Sequence, residues 1–143
     1  MNISAQAIVI DQEGKIYLED NQVTRMLSFI WGKQKWKETF EEIIIRETKE
    51  ELGIVLPESR FLNGQEQPER KFWNERLQDY ISWFSKYFVL ILTPSEVKDI
   101  KWSVKLVVLE NKRDLEKFPE EKFWPLGREV FTAQIERALS HIS

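Results

Sequence analysis

Residues Gly32 to Ile54 read GKQKWKETFEEIIIRETKEELGI, a basic segment that runs into an acidic, isoleucine-rich one. Thr39 followed three residues later by Glu42 is a capping box, in which the hydroxyl accepts from the third helical N–H and the glutamate reaches back to the cap. Gly53 stands where a helix closes in the left-handed conformation that glycine adopts freely, so the predicted helix spans Phe40 to Leu52. On that helix Glu47, Glu50 and Glu51 fall at i, i+3 and i+4 and share one face. Like charges at this spacing cost about 0.2–0.5 kcal/mol per pair, and Arg46, paired with Glu50 or Glu42, cannot cancel all three. Two readings follow: a solvated acidic face, or a site for a hard divalent cation. Carboxylate oxygens completed by water suit Mg²⁺ or Mn²⁺.

The same segment resembles the signature of the Nudix hydrolases, G-x5-E-x7-R-E-U-x-E-E-x-G-U with U a bulky apolar residue. It matches at Gly32, Glu38, Arg46, Glu47, Glu50, Glu51, Gly53 and Ile54 and departs at the first U, which is Thr48. The resemblance implies an α/β/α sandwich with a mixed β-sheet, formed by a single domain over residues 1–143. It also implies roles: Glu47, Glu50 and Glu51 bind the metal with help from the Gly32 carbonyl, and Glu38 and Arg46 support the site. Glu47 or Glu50 is then the catalytic carboxylate. The implied reaction is hydrolysis of a nucleoside diphosphate linked to another moiety, with Mg²⁺ (or Mn²⁺) as cofactor. The residues suit that chemistry, since a metal neutralises phosphate charge and acidifies water while a neighbouring carboxylate takes the proton.

Before the helix the chain departs from the common family pattern. Trp31 and Lys37 stand where glycines are frequent, and Lys35 where glutamate is. A stiffer, more basic loop is expected, in which Lys33, Lys35, Lys37 and Trp36 are candidate substrate contacts; solvated lysines are the plainer reading.

Composition narrows the field. The net charge of −3 offers no general attraction to nucleic acid or anionic lipid, so a nucleotide must be held by a local site. The absence of cysteine excludes disulfides, thiolate zinc and a cysteine nucleophile, which disfavours the isomerase branch of the Nudix superfold. No apolar run reaches membrane-spanning length and no basic-then-apolar leader opens the sequence, so a cytoplasmic location without membrane partners is expected. The partner is a small nucleotide rather than a long nucleic acid, and a homodimer stays open.

Around the signature, ISAQAIVI (3–10) and KIYLE (15–19) read as a hairpin across DQEG, and RMLSFIW (25–31) as a third apolar run that delivers the chain to Gly32. Gln65 to Gln78 reads as a substrate loop or short helix, with Arg70 and Lys71 beside Phe72 and Trp73. Residues 79–93 read as one long strand or two broken at Ser85, and Ile100, Trp102, Val104 and Leu106 alternate like a half-buried strand. Glu96 and Asp99 lie where some family members place a further acid, although exposed loop acids are the simpler reading. Pro125 precedes a predicted amphipathic helix carrying Phe131, Ile135 and Leu139 on one stripe, with the sole histidine, His141, at its end. A Nudix-shaped binding module without turnover is the alternative function.

Overall fold

A computed structural model describes residues 2–123 and 126–142. Its strands are β1 (Asn2–Asp11), β2 (Ile16–Asp20), β3 (Leu27–Ser28), β4 (Ile30–Lys33), β5 (Phe61–Glu66), β6 (Arg70–Asn74), β7 (Asp79–Leu92) and β8 (Leu106–Leu109). The helices are α1 (Phe40–Leu52), α2 (Pro94–Asp99) and α3 (Arg128–Leu139). All eight strands join one mixed sheet: β1 runs parallel to β7 and antiparallel to β2 and β4, while β5 and β6 both pair with β7 and β8 pairs with β2.

The alternation of β1 divides the core. Ala5, Ala7 and Val9 face α1 and pack with Ile43, Ile44 and Leu52, all fully buried. Ile8 and Ile10 face the opposite way and pack with Phe29, Phe131 and Ile135 beneath α3. A helix on each face of a sheet that buries apolar residues on both sides is the α/β/α sandwich expected from the signature.

Helix α1 forms as its sequence dictates. Thr39 Oγ1 accepts from Glu42 N–H at 3.1 Å, Thr39 N–H donates to Glu42 Oε1 at 3.1 Å, and Gly53 closes the helix at φ 74°. Lys86 Nζ on β7 donates to Glu41 at 3.0 Å, tying the first turn to the central sheet.

Several expectations are corrected. Residues 65–78 are neither one loop nor a helix: they complete β5, pass through a short connection at 67–69 and make β6, which pairs with β7 across a turn at 75–78, with Arg70 opposite Trp83 and Asn74 opposite Asp79. The turn uses Gln78 at φ 51° and Asn74 Oδ1 accepting from Leu77 N–H, so no glycine announces it. Strand β7 passes through Ser85 without a break. The run 25–31 is split into β3 and β4, which pair with β2 and β1 respectively. Residues 100–105 are irregular despite their alternation. Two of their backbone hydrogen bonds go to the end of α1, with Lys101 N–H donating to Leu52 O at 3.2 Å and Ser103 N–H to Glu51 O at 2.9 Å, and Lys105 O accepts from Asp20 N–H of β2 at 2.8 Å. Trp102 stacks on Tyr17 with ring centroids 5.8 Å apart, which fixes that segment. Pro125 lies outside the described residues; α3 begins at Arg128 and buries Phe131 and Ile135 as expected.

Removing the α1 cap in Thr39→Ala should lower stability by about 1 kcal/mol, read as a lower urea midpoint with an unchanged m-value.

Candidate active site and its aromatic cavity

The signature residues assemble around one guanidinium. Arg46 donates from Nε to Glu38 Oε2 at 2.8 Å and from Nη2 to Glu38 Oε1 at 2.9 Å, a bidentate pair. The same Nη2 donates to the Lys33 carbonyl at 2.9 Å, and Nη1 donates to Glu47 Oε1 at 2.6 Å. Glu50, the expected i, i+4 partner, is reached only at 3.8 Å. Arg46 therefore joins the end of β4, the following loop and α1. Its hydrogen bonds hold the Glu38 carboxyl below the usual carboxylate range, and Glu38 raises the Arg46 guanidinium further above its already high value.

Glu47 lies directly over Gly32. A Cβ on that glycine would stand 2.0 Å from Glu47 Cγ and 2.6 Å from its Oε1, so this contact requires the missing side chain. The first half of the loop is fixed by Gln34 N–H to Ile3 O at 2.8 Å and Lys35 N–H to Glu38 Oε1 at 2.8 Å. The left-handed residue of this loop is Trp36, at φ 56° and 96% exposed. Lys37 is exposed beside it.

Glu51 is the unusual member of the acidic face. Its Oε2 is shut off from solvent and has no hydrogen-bond partner. Burial pushes its carboxyl up to about 8, reinforced by the charges of Glu19, Glu47 and Glu50. Burial also raises Glu47, opposed by its bond from Arg46 and assisted by Glu50. Glu19, on β2, belongs to no motif that the sequence displays. Burial raises it as well, against a 3.4 Å hydrogen bond from Ser28 Oγ and with the charge of Glu47. The available signal was its place one alternation beyond Tyr17, which faces α1.

Among the described residues no three carboxylates form a closed coordination shell. The chemistry of the set nonetheless fits a hard cation: Glu19, Glu47 and Glu50 all add to the cost of charging the buried Glu51, and one of its oxygens lacks any hydrogen-bond donor. Glu96 does not join them, because Arg60 grips it bidentately at 2.6 and 2.8 Å and it caps α2. Asp99 is exposed at the end of α2. His141 is likewise remote, its Nε2 3.4 Å from Asn63 Nδ2.

On the other face of the sheet lies an open cavity of about 360 Å³, lined by aromatic side chains that include Phe29, Trp31, Phe72, Trp83, Tyr87 and Phe131. It shares the β3–β4 stretch with the acidic site. Ser28 lines the cavity while bonding Glu19, and Trp31 lines it while its neighbour Gly32 lies under Glu47. Lys33 bridges the two: its carbonyl accepts from Arg46 and its Nζ lies 6.0 Å from the centre of the Trp83 ring. Trp36 does not line this cavity.

Gly32→Ala should cost about 1–3 kcal/mol in chemical denaturation, because the new methyl must displace Glu47 from beside Arg46. A second prediction follows from Glu51. Without metal, its carboxyl stays protonated in the folded chain up to about pH 8, whereas the unfolded chain releases that proton above about 4.5. Its contribution to stability is therefore full below pH 4.5 and lost as pH rises to 8. In chelator, wild type should lose melting temperature across this range and Glu51→Gln should lose less, standing a few degrees higher at pH 8. Identical slopes would mean that the carboxylate is hydrated.

No family model and no curated protein matches the sequence. Solved structures do match in shape. The E. coli dihydroneopterin triphosphate pyrophosphohydrolase is similar at TM-score 0.67 and 15% identity, over 97% of this chain and 95% of that one. The C. elegans Ap4A hydrolase is similar at TM-score 0.64 and 15% identity, over 99% and 98%. A Nudix-family hydrolase from Clostridium perfringens follows at TM-score 0.59 and 14% identity, over 94% and 96%. With its signature residues gathered on β4, the following loop and α1, and with nearly its whole length superposing on these proteins, the chain has the fold of the Nudix hydrolases.

Proposed function

We propose that the protein is a metal-dependent nucleotide pyrophosphohydrolase, cleaving a phosphoanhydride bond in a nucleoside diphosphate linked to another moiety. The observation that carries the reading is the buried, unpartnered oxygen of Glu51 among Glu19, Glu47 and Glu50. A purely solvated acidic face would leave every carboxylate oxygen in water. Hydrolases acting on Ap4A and on dihydroneopterin triphosphate share the fold, which supports phosphoanhydride chemistry on a nucleotide-like substrate.

Glu47, Glu50 and Glu51 would hold Mg²⁺ or Mn²⁺, with the Gly32 carbonyl as a further oxygen donor. A bound divalent cation supplies charge neutralisation on the phosphate oxygens and acidifies water. Arg46 and Glu38 are positioning residues. By fixing Glu47 Oε1, Arg46 leaves the second oxygen of that carboxylate to face the site. Glu50, with a half-exposed side chain, is the carboxylate best placed to accept a proton from attacking water, and Glu47 is the alternative. Lys33, between the acidic site and Trp83, would steady the polyphosphate, while Lys35, Lys37 and Trp36 flank it on the exposed loop. The aromatic cavity would seat the base or ring of the substrate, burying its faces against Trp31, Phe72 and Trp83.

One geometric fact favours a second reading, a nucleotide-binding module without turnover: the carboxylates stand apart rather than in a shell. Assaying phosphate and pyrophosphate release separates the two. Nucleoside triphosphates, dinucleoside polyphosphates, ADP-ribose, nucleotide sugars and NADH are offered with Mg²⁺ or Mn²⁺ and with chelator. Metal-dependent turnover of one class is expected, falling by at least about 100-fold in Glu50→Gln and Glu51→Gln with the fold intact. Full turnover in both variants would overturn the assignment. No turnover anywhere, with a nucleotide still raising the melting temperature, would establish the module.

A further inference from the structure

We propose that Arg70 is a specificity-determining residue of the aromatic cavity, selecting a flat heterocycle whose edge carries an oxo group over the same ring carrying an amino group. The inference rests on the nucleotide reading above and names the chemistry of the ring.

Sheet register puts Arg70 in the cavity. It stands opposite Trp83, and on the same face Ser4 stands opposite Ser85 and Gln6 between Trp31 and Tyr87. All of these line the cavity. The guanidinium lies close enough to Tyr87 for its charge to oppose the upward shift that burial gives that phenol. Arg70 Nε is shut off from solvent and has no hydrogen-bond partner, and among the described residues Arg70 forms no ion pair. A shielded N–H without an acceptor is costly, and a guanidinium has only donors to offer.

The other polar groups of the lining are largely committed. The Ser4 and Ser85 hydroxyls bond each other at 2.6 Å, Ser28 bonds Glu19, and Gln67 bonds back to Gln65. Asn21 Oδ1 accepts from Val23 and Thr24 N–H. Among the described residues Arg70 is thus the one charged donor in a cavity walled mainly by aromatic and aliphatic side chains, with the Gln6 amide the other polar group that no hydrogen bond commits. The ligand that completes such a site is planar, for the walls, and carries an acceptor edge for the fork. Arginine pairs with adjacent oxo and ring-nitrogen acceptors, whereas an amino group at that place sets donor against donor.

Tryptophan fluorescence titration of the full chain tests this without phosphates or metal, using inosine against adenosine. The two differ by an oxo or an amino group beside the same imidazole-ring nitrogen acceptor. Inosine should bind roughly tenfold more tightly than adenosine, and Arg70→Met should bring the ratio below about twofold. Near-UV circular dichroism reports whether the variant keeps its fold. Should Arg70→Met not fold, Arg70→Lys retains the charge and loses the fork, and its ratio should also fall. Equal affinities in wild type, a preference that survives in a folded variant, or no binding of either nucleoside would overturn the inference. Failure of the hydrolase reading is distinct: it would show as absent turnover of the triphosphates while the nucleoside preference stands.

Discussion

The Arg46 guanidinium binds three acceptors that come from different parts of the chain, and the site exists as a unit because of it. Glu38 lies in the loop, the Lys33 carbonyl ends β4, and Glu47 projects from α1. Without this cation, two carboxylates and a carbonyl would face one another across the junction of sheet and helix, half-removed from water. The bidentate geometry with Glu38 adds direction to charge, which lysine could not supply. Gly32 completes the constraint by allowing Glu47 to lie against the strand backbone. Together they fix one oxygen of Glu47 in place beside Arg46.

What lies beyond that junction is held with less neutralisation. Glu51 has no cation of its own, and its neighbours on both α1 and β2 are acidic. The fold tolerates this because the apolar side of α1 is firmly anchored: Ile43, Ile44 and Leu52 are fully buried, and segment 101–103 bonds the last carbonyls of the helix. Packing and capping thus support electrostatic strain, a division often found where a protein retains a poised charged group.

The local parts of this design were legible in the sequence, and the non-local parts were not. Thr39, Glu42 and Gly53 define α1 through contacts within four residues, and the structure places its ends where they predict. Helix spacing pointed Arg46 to Glu50 or Glu42, whereas its bidentate partner is Glu38, which the loop brings back across the helix. Glu19 and Arg70, in contrast, acquire meaning only through strand register, which brings Glu19 opposite Ser28 and Arg70 opposite Trp83. The β6–β7 turn was hidden because Gln78 takes the left-handed conformation that usually falls to glycine or asparagine. Residues 100–105 misled in the other direction. Their alternation is real in burial, but the backbone of Lys101 and Ser103 bonds the end of a helix, and only Lys105 reaches a strand.

The sheet also separates charge in a chain of net charge −3. Acidic groups gather on the α1 side, where a cation would invert their sign, and the aromatic cavity on the α3 side carries the uncommitted Arg70. Lys33 lies between them at the end of β4. Because successive residues of a strand point to opposite faces, the Trp31–Gly32–Lys33 stretch addresses both sites: Trp31 and Lys33 turn toward the cavity, and the empty place at Gly32 accepts Glu47. A single strand end therefore sets the distance between the aromatic cavity and the acidic face of α1. The tryptophan that replaces the family's frequent glycine at position 31 suits this arrangement, since it adds a wall to the cavity without approaching the carboxylates.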